Sequence, residues 1–209
     1  MHCIFITRCY KATNIQTIKD NLKEVLHVDG VRRHTYTHII LADLTRGMMN
    51  LEDVTAFDDF KRTVSLLTTE KAHRDEYQTK AIDDYLKVFK DKDCFRTYVY
   101  ILDDDNQITP DFLAALDACE DGDPDAVVFK VYGHPEWGDI SILDHDAIGK
   151  IDWANMLVRL DVMRRLKVYT IGADSQKSDG LFFEKMKRDG CRIKFLNQIC
   201  GRYNALPKP

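Results

Sequence analysis

Apolar positions come in short runs at the start of the chain. Cys3-Ile4-Phe5-Ile6-Thr7 is continuous and short, as for a strand buried on both faces. Thr13 and Gln16 then have capping-box spacing, and Ile15, Ile18, Leu22, Val25 and Leu26 mark one helical face before Gly30. A second apolar run, Thr37 to Ala42, ends at Asp43. Strand, helix, strand is the opening of an α/β fold with a parallel sheet. The spacing predicts a helix near Leu51–Lys61, a short strand near Val64–Leu67, and a helix from Arg74 to Phe89 on the repeat Tyr77, Ala81, Tyr85, Phe89.

The clearest strand is Tyr98-Val99-Tyr100-Ile101-Leu102, which runs straight into Asp103-Asp104-Asp105-Asn106. Thr109, Pro110 and Asp111 read as N-cap, first-turn proline and first-turn acid of a helix reaching about Cys119. After the turn Asp121-Gly122-Asp123-Pro124, Ala126 to Tyr132 reads as a strand. Residues 133–150 read as a long loop or small hairpin. Met156–Val158 (strand), Asp161–Leu166 (helix), Asp179–Arg188 (helix) and Arg192–Leu196 (strand) follow. Neither a repeat nor a linker interrupts the 209 residues, so they form one domain.

Composition narrows the function. Hydrophobic residues at 44% allow a sizeable core and exclude a wholly disordered chain. A net charge of −4 argues against a nucleic-acid binder. No stretch approaches the ~18 uncharged apolar residues of a membrane span, and the N-terminus has no cleavage pattern of a secretion signal. Of the 34 acidic residues, 27 are Asp, which favours caps, turns and metal sites. Cys3, Cys9, Cys94, Cys119, Cys191 and Cys200 form no CxxC pair, so reduced thiols and a cytoplasmic location are expected.

The chemistry concentrates after strands. In parallel α/β sheets, ligands bind off the carboxyl ends of the strands. Asp103 and Asp105 form a D-x-D pair suited to Mg²⁺ or Mn²⁺ bridging two phosphates, the alternative being an acidic helix-capping turn. Asp43 ends another strand and is placed either to contact a base or ribose or to be a solvated loop acid. Thr7-Arg8-Cys9-Tyr10-Lys11 carries two cations and an aromatic at the same edge. Asp179 opens a helix and is either its cap or a general base. His145, Trp137 and Trp153 lie around the glycine-broken segment, either against a substrate or in the core. G-x-G-x-x-G, G-x-x-x-x-G-K-[ST] and G-x-S-x-G are all absent, which argues against a dehydrogenase, a P-loop enzyme and an α/β-hydrolase.

From the first strand to the helix at Asp179, the chain resembles the GT-A fold glycosyltransferases, closest to their family 2. The telling stretch is Ile101-Leu102-Asp103-Asp104-Asp105-Asn106-Gln107-Ile108-Thr109-Pro110-Asp111-Phe112-Leu113. Ile151-Asp152-Trp153-Ala154-Asn155-Met156-Leu157-Val158-Arg159 is similar to the acceptor-side stretch, and Ser178-Asp179-Gly180-Leu181-Phe182 to the segment bearing the catalytic base. The family's Asp-Asp-Gly-Ser run is replaced by Asp43-Leu44-Thr45-Arg46, and its Glu-Asp pair by Ser178-Asp179.

The resemblance implies a single-domain α/β sandwich of Rossmann type, with a mostly parallel central sheet flanked by helices. Residues 1–106 would form the nucleotide-binding half and 107–209 the acceptor side. It implies donor contacts from Thr7, Arg8, Cys9, Asp43, Asp103 and Asp104. Metal would be held by Asp103 and Asp105, and Asp179 would be the catalytic base. Trp153, His145 and Asn204 would supply acceptor or extra metal contacts. The implied reaction moves a sugar from a nucleotide-diphosphate donor to an acceptor hydroxyl, such as that of a saccharide, with Mn²⁺ or Mg²⁺ and with inversion. No nucleic-acid partner and at most peripheral membrane association are expected. A binder of nucleotide or sugar that lacks turnover, and a metal-dependent phosphotransferase, are the competing readings.

Overall fold

The computed structural model describes residues 1–9, 11–27, 34–42, 65–67, 82–90, 96–134, 138–140, 151–168, 178–203 and 205. Asp43, His145 and Asn204, the helix expected at 51–61 and the first part of that expected at 74–89 lie outside them. In chain order the described elements are β1 (His2–Cys9), α1 (Ala12–Leu26), β2 (Thr35–Ala42), β3 (Ser65–Leu67), β4 (Thr97–Asp103), β5 (Gln107–Ile108) and α2 (Phe112–Glu120). Then come β6 (Ala126–His134), β7 (Gly138–Ile140), a 3-10 turn (Trp153–Asn155), β8 (Met156–Arg159), α3 (Leu160–Leu166), α4 (Ser178–Arg188) and β9 (Ile193–Arg202).

Among the described residues one sheet forms, in the order β3-β2-β1-β4-β8-β6-β9-β5, with β7 beside β6 as the expected small hairpin. β1 is parallel to β2 and β4, β2 to β3, and β6 to β9. β8 is antiparallel to both β4 and β6, which restores the common direction across it. The carboxyl ends of β1, β2, β4, β6 and β9 therefore share one edge. The start of β8 lies at that edge too, because it runs the other way.

Each central strand is apolar on both faces because both are covered. Ile4, Ile6, Val99 and Ile101 pack with Val162 and Met163 of α3, Phe182 and Met186 of α4, and Ile82 and Leu86 of the segment 82–90. Cys3, Phe5, Tyr98, Tyr100 and Leu102 pack with Ile18 and Leu22 of α1 and Phe112 and Leu116 of α2. Each such side chain contributes about 1.5–3 kcal/mol by leaving water. The period of two also decides which later residues face which side. Arg8 and Asp103 continue the Ile4–Ile6 and Val99–Ile101 series, whereas Thr7 and Cys9 continue the series beneath α1.

Two expected caps are not the caps used. α1 begins at Ala12 with Lys11 as its N-cap, and no side chain of the helix caps it. Gln16 Nε2 instead donates to Asp20 Oδ1 at 2.8 Å. At α2 the N-cap is Asp111, and the Thr109 hydroxyl donates to the carbonyl of Ile199 on β9 at 2.5 Å. At α1 a bond within the helix, and at α2 a tertiary partner, takes the side chain expected to cap. All five described cysteines are free, as expected.

Candidate active site at the carboxyl edge of the sheet

Arg8 and Asp103 are Cα partners in the parallel ladder of β1 and β4. Their side chains rise on the same face and form a fork-to-fork pair, Nε to Oδ1 at 2.5 Å and Nη2 to Oδ2 at 2.7 Å. Both are largely buried, so the pair is screened less than a surface ion pair.

Asp152 caps the 3-10 turn that leads into β8. Its side chain accepts from the Ala154 amide at 2.8 Å, and Asn155 Oδ1 accepts from the Asp152 amide at 3.1 Å. This reciprocal capping box makes the tight 3-10 turn possible. The turn is anchored from below, because the Tyr100 hydroxyl donates to the Ala154 carbonyl at 2.7 Å. Trp153 is only 4% exposed and packs on Phe182 of α4, with ring centroids 5.1 Å apart. Trp153 is thus a core prop beneath the site and cannot stack on an acceptor, which corrects the expectation for it.

Asp179 arrives on the first turn of α4, where its Oδ1 accepts from the Gly180 amide at 2.7 Å. Tyr203, just past β9, donates its hydroxyl to Asp152. Its own amide donates to the Tyr132 carbonyl at 2.8 Å, joining the ends of β9 and β6.

These groups share one electrostatic environment. Burial and then the charge of Asp103 push Asp152 up to about 6, against the Ala154 amide, Arg8 and the Tyr203 hydroxyl. Burial and then the charge of Asp152 push Asp179 up to about 7, against the Gly180 amide and Arg8. Burial raises the Tyr203 hydroxyl, with Asp152, Asp103 and Asp105 adding to it and Arg8 opposing. Asp103, Asp105, Asp152, Asp179, Arg8 and Tyr203 thus converge, with more acid than base. Asp152 and Asp179 titrate near neutrality and each can hold or accept a proton there.

Several expected contacts face elsewhere. Thr7 is 0% exposed and bonds His38 Nε2 through Oγ1 at 2.8 Å, under α1. Burial and then Lys19 push His38 down to about 3, so that imidazole is neutral. Cys9 is buried on the same face, with its thiol toward the Lys11 carbonyl and Asp104 Oδ2. Strand alternation puts both side chains on the α1 face of the sheet, and of Thr7, Arg8 and Cys9 only Arg8 rises on the other face beside Asp103. Asp104 also turns inward and is 3% exposed. Its Oδ2 accepts from the Lys11 amide at 2.9 Å, while its own amide donates to the Arg8 carbonyl at 3.2 Å. Asp104 is therefore the remote cap of α1, not a donor contact. Asp104→Ala should cost about 1–2 kcal/mol in urea unfolding, on the scale of N-caps. Asp104→Asn, which keeps an acceptor, should recover most of that loss. Equal losses in both variants would refute the capping role.

Asp152 and Tyr203 were not singled out from sequence. The D-x-x-N spacing of Asp152 and Asn155 was a usable signal for the turn. Tyr203 gave none, because β9 extends beyond the expected Leu196 to Arg202.

No protein-family model matches the chain, and no curated protein matches it in sequence. In fold it is similar to TarS of S. aureus, with a TM-score of 0.68 and 15% identity over 97% of this chain and 36% of that one. It is likewise similar to residues 1–349 of TarS in complex with UDP-GlcNAc, at TM-score 0.64 and 15% identity over 97% of this chain and 58% of that one. The mannosyltransferase PcManGT from Pyrobaculum calidifontis, in complex with GDP-Man and Mn²⁺, matches at TM-score 0.64 and 18% identity over 99% of this chain and 57% of that one. The chain thus spans about a third of TarS and somewhat over half of the other two. With its mostly parallel sheet and acidic carboxyl edge, the chain has the GT-A fold of glycosyltransferases.

Proposed function

We propose that this protein transfers a sugar from a nucleoside-diphosphate donor to an acceptor hydroxyl with inversion at the anomeric carbon. The observation that carries the reading is Asp179, a carboxyl raised to about 7 that lies close enough to Asp152 and Arg8 to feel both charges. A general base works best when its pKa lies near the working pH. Asp179 takes the proton of the acceptor hydroxyl as that oxygen attacks the anomeric carbon. The glycosidic C–O bond to the diphosphate breaks on the opposite face. Asp152, held by Tyr203 and the Ala154 amide, keeps negative charge beside Asp179 and so keeps Asp179 basic. Asp43 is proposed to contact the base or ribose. His145 and Asn204 are proposed to line the acceptor side.

The donor set fits Mg²⁺ or Mn²⁺ in one particular way. Among the described residues no three acid, imidazole or thiol groups form a ready cage. Such ions commonly take one or two carboxylates and complete their shell with water and substrate phosphates. Asp103 and Asp105 are hard oxygen donors in a cleft with excess negative charge, and they would hold an ion that enters with a diphosphate. When bound, the ion supplies charge neutralisation for the leaving group. Among the described residues no helix is long and apolar enough to cross a membrane.

Calorimetric titration with UDP and GDP, each with and without Mn²⁺, tests the reading. One nucleotide should bind only with metal, and that binding should vanish in Asp105→Ala. Absence of binding by either nucleotide with Mn²⁺ present would end it. Binding without turnover of any offered nucleotide sugar would favour the binder that lacks catalysis.

A further inference from the structure

The Arg8–Asp103 pair raises a question that the proposed reaction leaves open, and the inference here rests on that reading. Asp103 is a proposed metal ligand, yet both its oxygens are already engaged by one guanidinium. A fork-to-fork pair of this kind is among the strongest side-chain contacts. Arg8 is the cation that opposes the raised ionisation of Asp152, Asp179 and Tyr203 alike.

The arrangement differs from the other acidic cluster in the described structure. At the opposite edge of the sheet, Arg159 bonds Asp161 and Asp125 at 2.6 and 2.7 Å and approaches Asp123 at 3.4 Å. There the backbone is tied as well, because the Arg159 amide donates to the Asp125 carbonyl at 2.9 Å. That cluster lies away from the carboxyl edge. The Arg8 pair sits at the edge, and its arginine comes from the residue before the last one of β1. Arg8 needs only side-chain rotation to leave Asp103, since the backbone ladder of β1 and β4 holds independently.

We infer that Arg8 is a stand-in cation: it neutralises Asp103 while the divalent ion is absent, and yields that carboxylate when ion and diphosphate arrive together. The released guanidinium then presents its donors to the diphosphate, a planar fork matched to phosphate oxygens. The device ties metal capture to donor capture. The ion alone must compete with Arg8 for Asp103. The ion with a diphosphate does not, because the diphosphate offers Arg8 a replacement partner. Both associations are reversible and no covalent bond changes.

The test measures Mn²⁺ binding by the intact chain with and without nucleoside diphosphate, following free Mn²⁺ by electron paramagnetic resonance. Arg8→Gln should bind Mn²⁺ alone about fivefold to tenfold more tightly than the parent chain, the size expected for removing a competing, partly buried ion pair. The same variant should bind Mn²⁺ with diphosphate more weakly, so the cooperativity between them falls. Arg8→Lys keeps the charge without the fork and should lie between the two. It also guards against a folding defect in Arg8→Gln, with thermal melts run on all three. Unchanged or weaker binding of Mn²⁺ alone in both folded variants would overturn the inference while leaving the donor site standing. Failure of the parent chain to bind Mn²⁺ with either diphosphate would overturn the reading beneath it as well.

Discussion

Asp179→Asn should lower turnover by about 10²- to 10⁴-fold, the usual contribution of a positioned general base. Nucleotide binding should stay within about twofold, because the loss falls on the transition state and not on the bound donor. In the parent enzyme the rate should rise with pH through the ionisation of Asp179, since only the carboxylate accepts a proton. Without metal that ionisation lies at about 7. A bound cation should pull it lower. The same group affects stability with a definite sign. Its folded value lies above its ordinary value of 3.8, so the folded chain holds more protons than the unfolded one in that window. Its contribution to stability therefore falls as pH rises from about 4 to about 7. Asp179→Asn, which cannot ionise, should be more stable than the parent at pH 8, and the difference should shrink towards pH 4. Thermal melts across that range check the sign. Turnover within tenfold of the parent, with binding intact, would remove Asp179 from the role of base.

Trp153→Ala should cost about 3–5 kcal/mol in urea unfolding, the range for emptying a buried tryptophan site. The cavity opens between the 3-10 turn and Phe182, where the two rings lie 5.1 Å apart. Both acids rest on that contact, Asp152 at the start of the turn and Asp179 three residues before Phe182. Turnover should therefore fall even where the variant remains folded, and more steeply than affinity for the nucleotide. Trp153→Phe, which keeps an aromatic on Phe182, should lose less on both counts. A loss below about 1.5 kcal/mol for Trp153→Ala would mean that the turn is held by its hydrogen bonds alone.

Periodicity alone carried much of the architecture. Runs such as Cys3–Ile6 and Tyr98–Leu102 are hydrophobic at every position, as expected of strands covered on both faces. The strand, helix, strand opening and the aspartates after β4 then pointed to the carboxyl edge. Strand ends were less legible. β9 was expected to stop at Leu196 but continues to Arg202 through Asn197, Gln198 and Ile199. Its partner β6 pairs Val128 with Phe195, Lys130 with Ile199 and Val131 with Gly201, so Leu196, Asn197 and Gln198 fall in a bulge between paired positions and the strand resumes after it.

Within the site, local pattern and tertiary outcome diverge residue by residue. Alternation already said that Arg8 faces one side of the sheet and Thr7 and Cys9 the other. A motif that treats the three as one loop loses that distinction. The role of Asp104 was out of reach of any local rule, because the amide it caps belongs to Lys11, far away in sequence. The same holds for Tyr203, whose partner Asp152 comes from before β8.

By itself the sequence determined the α/β class, the strands with their buried faces, and the acidic character of the edge where they end. These follow from hydrophobic period and residue type, which act over a few neighbours. Only the tertiary structure decided which acid does what: Asp103 paired to Arg8, Asp104 turned inward to cap α1, Asp152 and Asp179 raised towards neutrality. Those outcomes depend on burial and on charges brought together from β1, β4, the turn before β8, α4 and the end of β9. Coulombic and hydrogen-bonding partners are chosen by distance in space, and sequence spacing does not encode that distance.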